Sequence, residues 1–109
     1  MQSEIRSAAE VRETVASEDF LILYFYNDDC APCLALRPKV EKFLISYPGI
    51  VLRYINSKKM PELNAEYNVY ANPLIILYLQ GKESTRFSKY VSTGQLEEAI
   101  RRPYDLIFS

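Results

Sequence analysis

Phe20-Leu21-Ile22-Leu23-Tyr24-Phe25-Tyr26 is the stretch that most narrows what this chain can become. The residues are apolar or aromatic without polar alternation, so neither face of a strand built from them tolerates water. Such a run suits the central strand of a sheet covered by helices on both sides. Asn27-Asp28-Asp29 ends it with turn residues. Cys30-Ala31-Pro32-Cys33 then opens a helical pattern, and these are the only two cysteines in the chain. Two thiols this close, at the start of a helix that follows a buried strand, can pass between dithiol and disulfide.

The flanking sequence supplies the cover. Ser7-Ala8-Ala9-Glu10 reads as a capping box, and Ala8, Val11 and Val15 make one apolar stripe, predicting a helix at about 8–17. Ile5 and its neighbours suit a short edge strand before it. Leu36, Val40, Phe43, Leu44 and Tyr47 keep helical spacing over about 31–46. Pro38 falls inside that helix and is expected to kink it, and Pro48-Gly49 stops it. Ile50 to Ile55 is a second apolar strand. Pro61 suits the first turn of a short helix carrying Leu63 and Tyr67. Asn72-Pro73 stands at the mouth of a third apolar strand ending at Leu79. Gln80 to Glu83 reads as a turn and Ser84 to Ser88 as a polar edge strand. Ser92-Thr93-Gly94-Gln95 is a second capping box, leading into a helix that buries Leu96, Ala99 and Ile100. Pro103 is expected to end that helix, leaving an unusually apolar tail, Tyr104 to Ser109. Strand–helix–strand crossovers imply parallel pairing early, and the tight turn at Gly81 implies an antiparallel hairpin late. The expected architecture is α/β: three layers, α/β/α, around a mixed central sheet, in a single domain spanning 1–109.

Composition removes several classes of function. The net charge is −1, which gives no electrostatic reason to bind nucleic acid or an anionic membrane. No apolar run approaches a membrane span. Met1-Gln2-Ser3-Glu4-Ile5-Arg6 lacks the basic and apolar regions of a secretory leader, so a cytoplasmic address is expected. There is no histidine, which excludes Ser-His-Asp and Cys-His catalysis and every His-ligated metal site. Two thiolates fall short of a four-ligand zinc site unless a second chain contributes, and no metal, flavin or nucleotide site is expected. In a reducing compartment a lone CxxC is more often redox-active or metal-binding than a structural staple. Two inert buried thiols, or a metal or iron–sulfur site shared across a dimer, remain the alternatives.

Several spacings taken together resemble the thioredoxin family over essentially the whole chain. The CxxC follows a central strand and opens a helix. Pro38, five residues after Cys33, matches the family's helix-kinking proline. Pro73 stands where the family places a cis-proline facing the disulfide, Gly81 at its hairpin glycine, and Ser92-Thr93-Gly94-Gln95-Leu96 at the start of its C-terminal helix. The resemblance implies a thiol–disulfide oxidoreductase that reduces protein disulfides. Cys30 would be the nucleophile and Cys33 the resolving thiol, with Pro32 restricting the loop between them. It implies no cofactor beyond the Cys30–Cys33 disulfide itself. Partners would be disulfide-containing proteins and an external thiol or flavoprotein reductase, with the protein acting as a monomer. Asn72 and Pro73 would present backbone to an extended substrate, which pairs like an added strand.

Three positions depart from the family pattern. Members that reduce disulfides well usually carry Trp-Cys-Gly-Pro-Cys followed by a basic residue. Here Asp29 replaces the tryptophan and Leu34 the basic residue. A carboxylate beside Cys30 disfavours its thiolate. That implies a pKa above the roughly 7 typical of thioredoxin and a more reducing couple, unless Asp29 points to solvent and is screened. Tyr24 stands where the family has a buried aspartate that relays the resolving cysteine's proton, and Arg53 where that aspartate has its lysine partner. A phenol titrating near pH 10 is no anionic base at neutral pH; it either hydrogen-bonds a thiol or packs the core. Arg53, without an acid, must pair elsewhere or reach solvent. Asn72 replaces the more usual Ile, Thr or Val, and its side chain is expected to touch the sulfur pair, an Asx turn being the alternative. These departures keep a second class open: a thioredoxin fold retained for protein or peptide binding, with weak or regulatory redox chemistry. An oxidase or isomerase is a further option.

Overall fold

The computed structural model describes residues 3–108; the reading of Met1 and Gln2 as part of a leaderless N-terminus, and Ser109 at the end of the tail, lie outside the described residues. The elements run β1 (Ser3–Glu4), α1 (Ala8–Ser17), β2 (Phe20–Tyr26), α2 (Ala31–Leu44), β3 (Val51–Asn56), α3 (Pro61–Glu66), β4 (Leu74–Leu79), β5 (Lys82–Phe87) and α4 (Thr93–Phe108). The sheet order is β1-β3-β2-β4-β5. β2 pairs in parallel with β3, Leu21 opposite Val51 and Tyr24 opposite Tyr54, and antiparallel with β4, Tyr24 opposite Ile75. The mixed sheet with helices on both faces is the architecture the sequence implies.

β2 is central because its residues leave it no alternative. Every side chain from Phe20 to Phe25 is fully buried. Alternation sends Phe20, Ile22 and Tyr24 into one core, with Leu36 and Val40 of α2 and Leu96 and Ile100 of α4. Leu21, Leu23 and Phe25 enter the other, with Val11 of α1 and Leu63 of α3. Each such side chain contributes roughly 1.5–3 kcal/mol relative to exposure.

Helix starts follow the caps with one difference. At α4 both arms form: the Gln95 N–H donates to Ser92 Oγ at 3.1 Å, and the Ser92 N–H to Gln95 Oε1 at 2.9 Å. At α1 the Glu10 N–H donates to Ser7 Oγ at 3.0 Å, but the Glu10 carboxylate accepts from the Arg6 N–H at 2.7 Å. The reciprocal arm lands one residue early. The β4–β5 turn is shorter than expected. Gln80 and Gly81 both have positive φ, 51° and 84°, so a two-residue turn whose twist matches the strands lets β5 begin at Lys82. At Gly49 (φ 101°) the backbone favours glycine, and a Cβ there would press on the Phe108 ring at 3.1 Å.

Pro103 does not end the last helix; α4 continues through it to Phe108. A proline inside a helix costs about 3 kcal/mol locally, and tertiary contacts offset it. Tyr104 and Ile107 pack on the α2/α4 core. The Tyr104 hydroxyl donates to the Pro48 carbonyl, and its ring stands edge-on to Tyr47 with centroids 5.0 Å apart. The apolar tail is the last turn of a helix docked on its own core. Removing residues 104–109 should lower stability by about 2–4 kcal/mol, read as a drop in the urea midpoint. Pro103→Ala should raise the same midpoint.

Candidate active site

The turn after β2 aims Cys30 at the start of α2. Asn27 Oδ1 accepts the Asp29 N–H at 2.9 Å, and the Asn27 carbonyl accepts the Cys30 N–H at 3.3 Å. Cys30 is thereby the extended N-cap of α2 (φ −97°, ψ 99°). Its sulfur does what a serine oxygen does at an ordinary cap: Sγ accepts the Cys33 N–H at 3.2 Å. The two cysteines are disulfide-bonded, with Cα atoms 5.3 Å apart. Pro32 sits in the first turn, where its missing N–H costs little. Pro38 lies inside α2. Cys33 is 2% exposed and Cys30 9%, so an incoming group meets Cys30 first.

The Asn72–Pro73 peptide bond is cis. The Asn72 amide is engaged in hydrogen bonds with its neighbours. Asn72 Oδ1 accepts from Asn27 Nδ2 at 2.8 Å. Asn72 Nδ2 donates to Ser57 Oγ at 3.0 Å and to the Ala71 carbonyl at 3.2 Å. Ser57 is itself anchored, its N–H donating to the Tyr26 carbonyl at 2.7 Å. Buried Asn56 accepts the Lys58 and Lys59 N–H groups at 3.0 and 3.2 Å. These side chains form a polar collar joining the ends of β2 and β3 to the entry of β4. The sequence reading missed Asn27, Asn56 and Ser57. The available signal was an asparagine at the site end of each of those strands.

Beneath the disulfide, Tyr24 is fully buried, and its hydroxyl donates to the Cys33 main-chain carbonyl at 2.7 Å. Its ring packs edge-on to Tyr54, centroids 5.4 Å apart. Burial pushes the Tyr24 phenol up to about 12, so it holds its proton throughout the neutral range. Arg53 is not its partner. It shares the parity of Val51 and Ile55, which face the α1/α3 core, and donates to the Leu52 carbonyl at 3.0 Å. A cation near Tyr24 is Arg37, whose guanidinium lies 3.8 Å from the centre of the Tyr54 ring. Arg37 pairs with Glu41 at 3.3 Å, and the Tyr54 hydroxyl donates to the same carboxylate. The i, i+4 spacing of Cys33, Arg37 and Glu41 carried that information, but spacing alone did not name the tyrosine. Asp29 is neither aimed at the sulfur pair nor simply loose in solvent: its carboxylate pairs with Lys58, which holds it below the usual range.

The family model described as Thioredoxin matches residues 3–102. The chain belongs to the thioredoxin family. It is 26% identical over 102 residues to "Thioredoxin-like protein YdfQ" of Bacillus subtilis, covering 94% of this chain and 91% of that one. It is 30% identical over 87 residues to "Thioredoxin-2" of Saccharomyces cerevisiae, covering 79% and 84%. Mitochondrial thioredoxin 3 from the same yeast, solved in oxidised form, superposes with a TM-score of 0.82 at 23% identity over 91% of this chain and 92% of that one. Family membership and the Cys30–Cys33 pair make this thioredoxin-family chain a thiol–disulfide oxidoreductase. Among the described residues no helix is long and apolar enough to cross a membrane.

Two measurements check the site's construction. In a double-mutant cycle, Asn27→Ala and Asn72→Ala should couple by about 0.5–2 kcal/mol in urea unfolding; independent effects would refute the clamp. Burial also raises Tyr26 and Tyr78 to about 12. A phenol with a raised folded-state pKa contributes stability that is full below the unfolded value near 10 and is lost as pH rises towards 12. Unfolding free energy should therefore fall above about pH 10, less steeply in Tyr24→Phe.

Proposed function

We propose that this oxidoreductase works as a reductase of protein disulfides, with Cys30 as nucleophile and Cys33 as resolving thiol. The observation that carries the assignment is the Cys33 N–H held on Cys30 Sγ at the start of α2. That N–H and the helix dipole stabilise a Cys30 thiolate, and Cys33 lies behind it, out of a substrate's reach. The Cys30 thiolate attacks one sulfur of the substrate disulfide, and the other leaves as a thiolate that takes up a proton. Cys33 then loses its proton and attacks Cys30 Sγ. The second substrate thiol departs, and two electrons have passed to the substrate. The Cys30–Cys33 disulfide left behind is reduced by an external thiol or flavoprotein reductase.

The charges of the preceding turn support the reducing direction. Asp28 and Asp29 stand against Lys58 alone among their ion-pair partners in the described residues. One negative charge remains in the turn ahead of Cys30, so the thiolate is only modestly stabilised and the disulfide is the favoured form of the pair. Asn72 and Pro73 are proposed to present backbone to the substrate, beside exposed Leu34 and Tyr70. A reducing compartment, the cytoplasm, and a monomeric state suit this reading.

One observation favours the binding-module alternative. Tyr24 supplies no anionic base to Cys33, so the second step is slow and a mixed disulfide with the partner persists. Turnover of a disulfide-containing test protein with a recycling reductant decides between the two. For a reductase the wild-type rate should exceed the reductant alone by at least about tenfold, with Cys30→Ser at the reductant level; a wild type no faster than Cys30→Ser would sink that reading. The rate should rise with pH through one thiol ionisation, because Tyr24 stays neutral to about 12. Tyr24→Asp should add a second inflection.

A further inference from the structure

A second feature lies directly beside the disulfide. Between the first turns of α2 and the connection from β5 to α4 is a cleft of about 530 Å³, lined in part by Pro32, Leu36, Lys39, Lys89, Val91 and Leu96. Pro32 belongs to the CxxC itself, and Leu36, Val91 and Leu96 share a core cluster with Cys30 and Cys33. The floor is apolar, and the charged groups in the lining are two ammoniums with no carboxylate. Neither Lys39 nor Lys89 enters an ion pair among the described residues. The Lys89 ammonium rests 5.1 Å from the centre of the Tyr90 ring. Glu97, within α4, is turned to the Tyr47 hydroxyl at 2.9 Å. On the other side of the disulfide, the Asp29 carboxylate already has its counter-charge in Lys58. The lining of this cleft is therefore positive, while Asp28 enters no ion pair among the described residues and Glu97 stands with Lys39 in the adjoining groove between α2 and α4.

We propose that this cleft selects protein disulfides flanked by acidic residues, whose carboxylates reach Lys39 and Lys89 while Cys30 attacks the neighbouring sulfur. The inference rests on the reductase reading above and adds its substrate class. The volume lies within the range of ligand-binding clefts and suits a short run of side chains on an extended segment. Complementary charge at an exposed rim acts mainly on encounter rate and on partner choice, and salt screens it.

The test uses reduced protein and three peptides, each carrying one cysteine in mixed disulfide with a chromogenic thiol and flanked by Glu, Ser or Lys. Cys30 attacks the peptide sulfur and the chromogenic thiolate leaves; rates are normalised to those with a neutral small dithiol. The Glu peptide should react roughly tenfold faster than the Lys peptide at about 20 mM salt, and the gap should close to about twofold at 0.5 M. Lys39→Glu with Lys89→Glu should reverse the preference and leave the Ser peptide within about twofold of wild type, which also reports that the variant is folded and active. Equal Glu and Lys rates, or a preference that survives the double substitution, overturn the proposal and leave the reductase reading standing. A small disulfide bearing only carboxylates that outruns the Glu peptide assigns the cleft to small molecules instead and overturns it as well. A Ser peptide reduced no faster by wild type than by Cys30→Ser overturns the reductase reading, and this inference with it.

Discussion

β2 must be hidden from water on both faces, and the rest of the molecule is arranged to do that. Phe20 to Phe25 are fully buried. One row of them packs under α2 and α4, and the other under α1 and α3. A strand covered on both sides ends abruptly where the cover ends, so the polar Asn27-Asp28-Asp29 turn emerges at the C-terminal end of the central strand. The chain then re-enters as α2, with Cys30 as its N-cap. The site is where it is because the strand beneath it has no solvent face.

The chemistry at that point depends on backbone more than on charged side chains. A main-chain N–H is held on Cys30 Sγ, and a phenol rather than a carboxylate is held on the Cys33 carbonyl. The polar collar through Asn27, Ser57 and Asn72 ties the proline loop to the turn that carries Cys30. Neutral amides and phenols can do this in a buried setting without the desolvation penalty of an ion. The charge pair of Arg37 with Glu41 packs on Tyr54. Burial keeps the Tyr24 phenol protonated across the neutral range, and salt and substrate act on the surface lysines.

Much of this was legible in the residues. The strand run, the stripe of α1, the complete capping box at Ser92, Pro61 opening α3 and the hairpin glycine are local signals, read within a few residues of where they act. Errors came where distant contacts overrode local preference. Pro103 is a helix breaker by its own geometry, but Tyr104 and Ile107 gain enough from the core to carry α4 past it. Asn72 looks like a side chain beside the sulfurs, and only the approach of Asn27 and Ser57 shows where its amide is used. Arg53 matches a family position in linear spacing, but strand parity places it on the opposite face from Tyr24.

From the sequence alone came the order of elements, the central strand, the redox pair and its place at a helix start. These depend on periodicity, turn chemistry and covalent spacing, all properties of short segments. Tertiary structure alone decided which polar groups meet: Asp29 with Lys58, Arg37 with Tyr54, Tyr24 with the Cys33 carbonyl, and Lys39 with Lys89 across one cleft. Those pairings join residues from different elements, and the geometry that brings them within hydrogen-bonding or Coulombic range exists only once both faces of the sheet are packed.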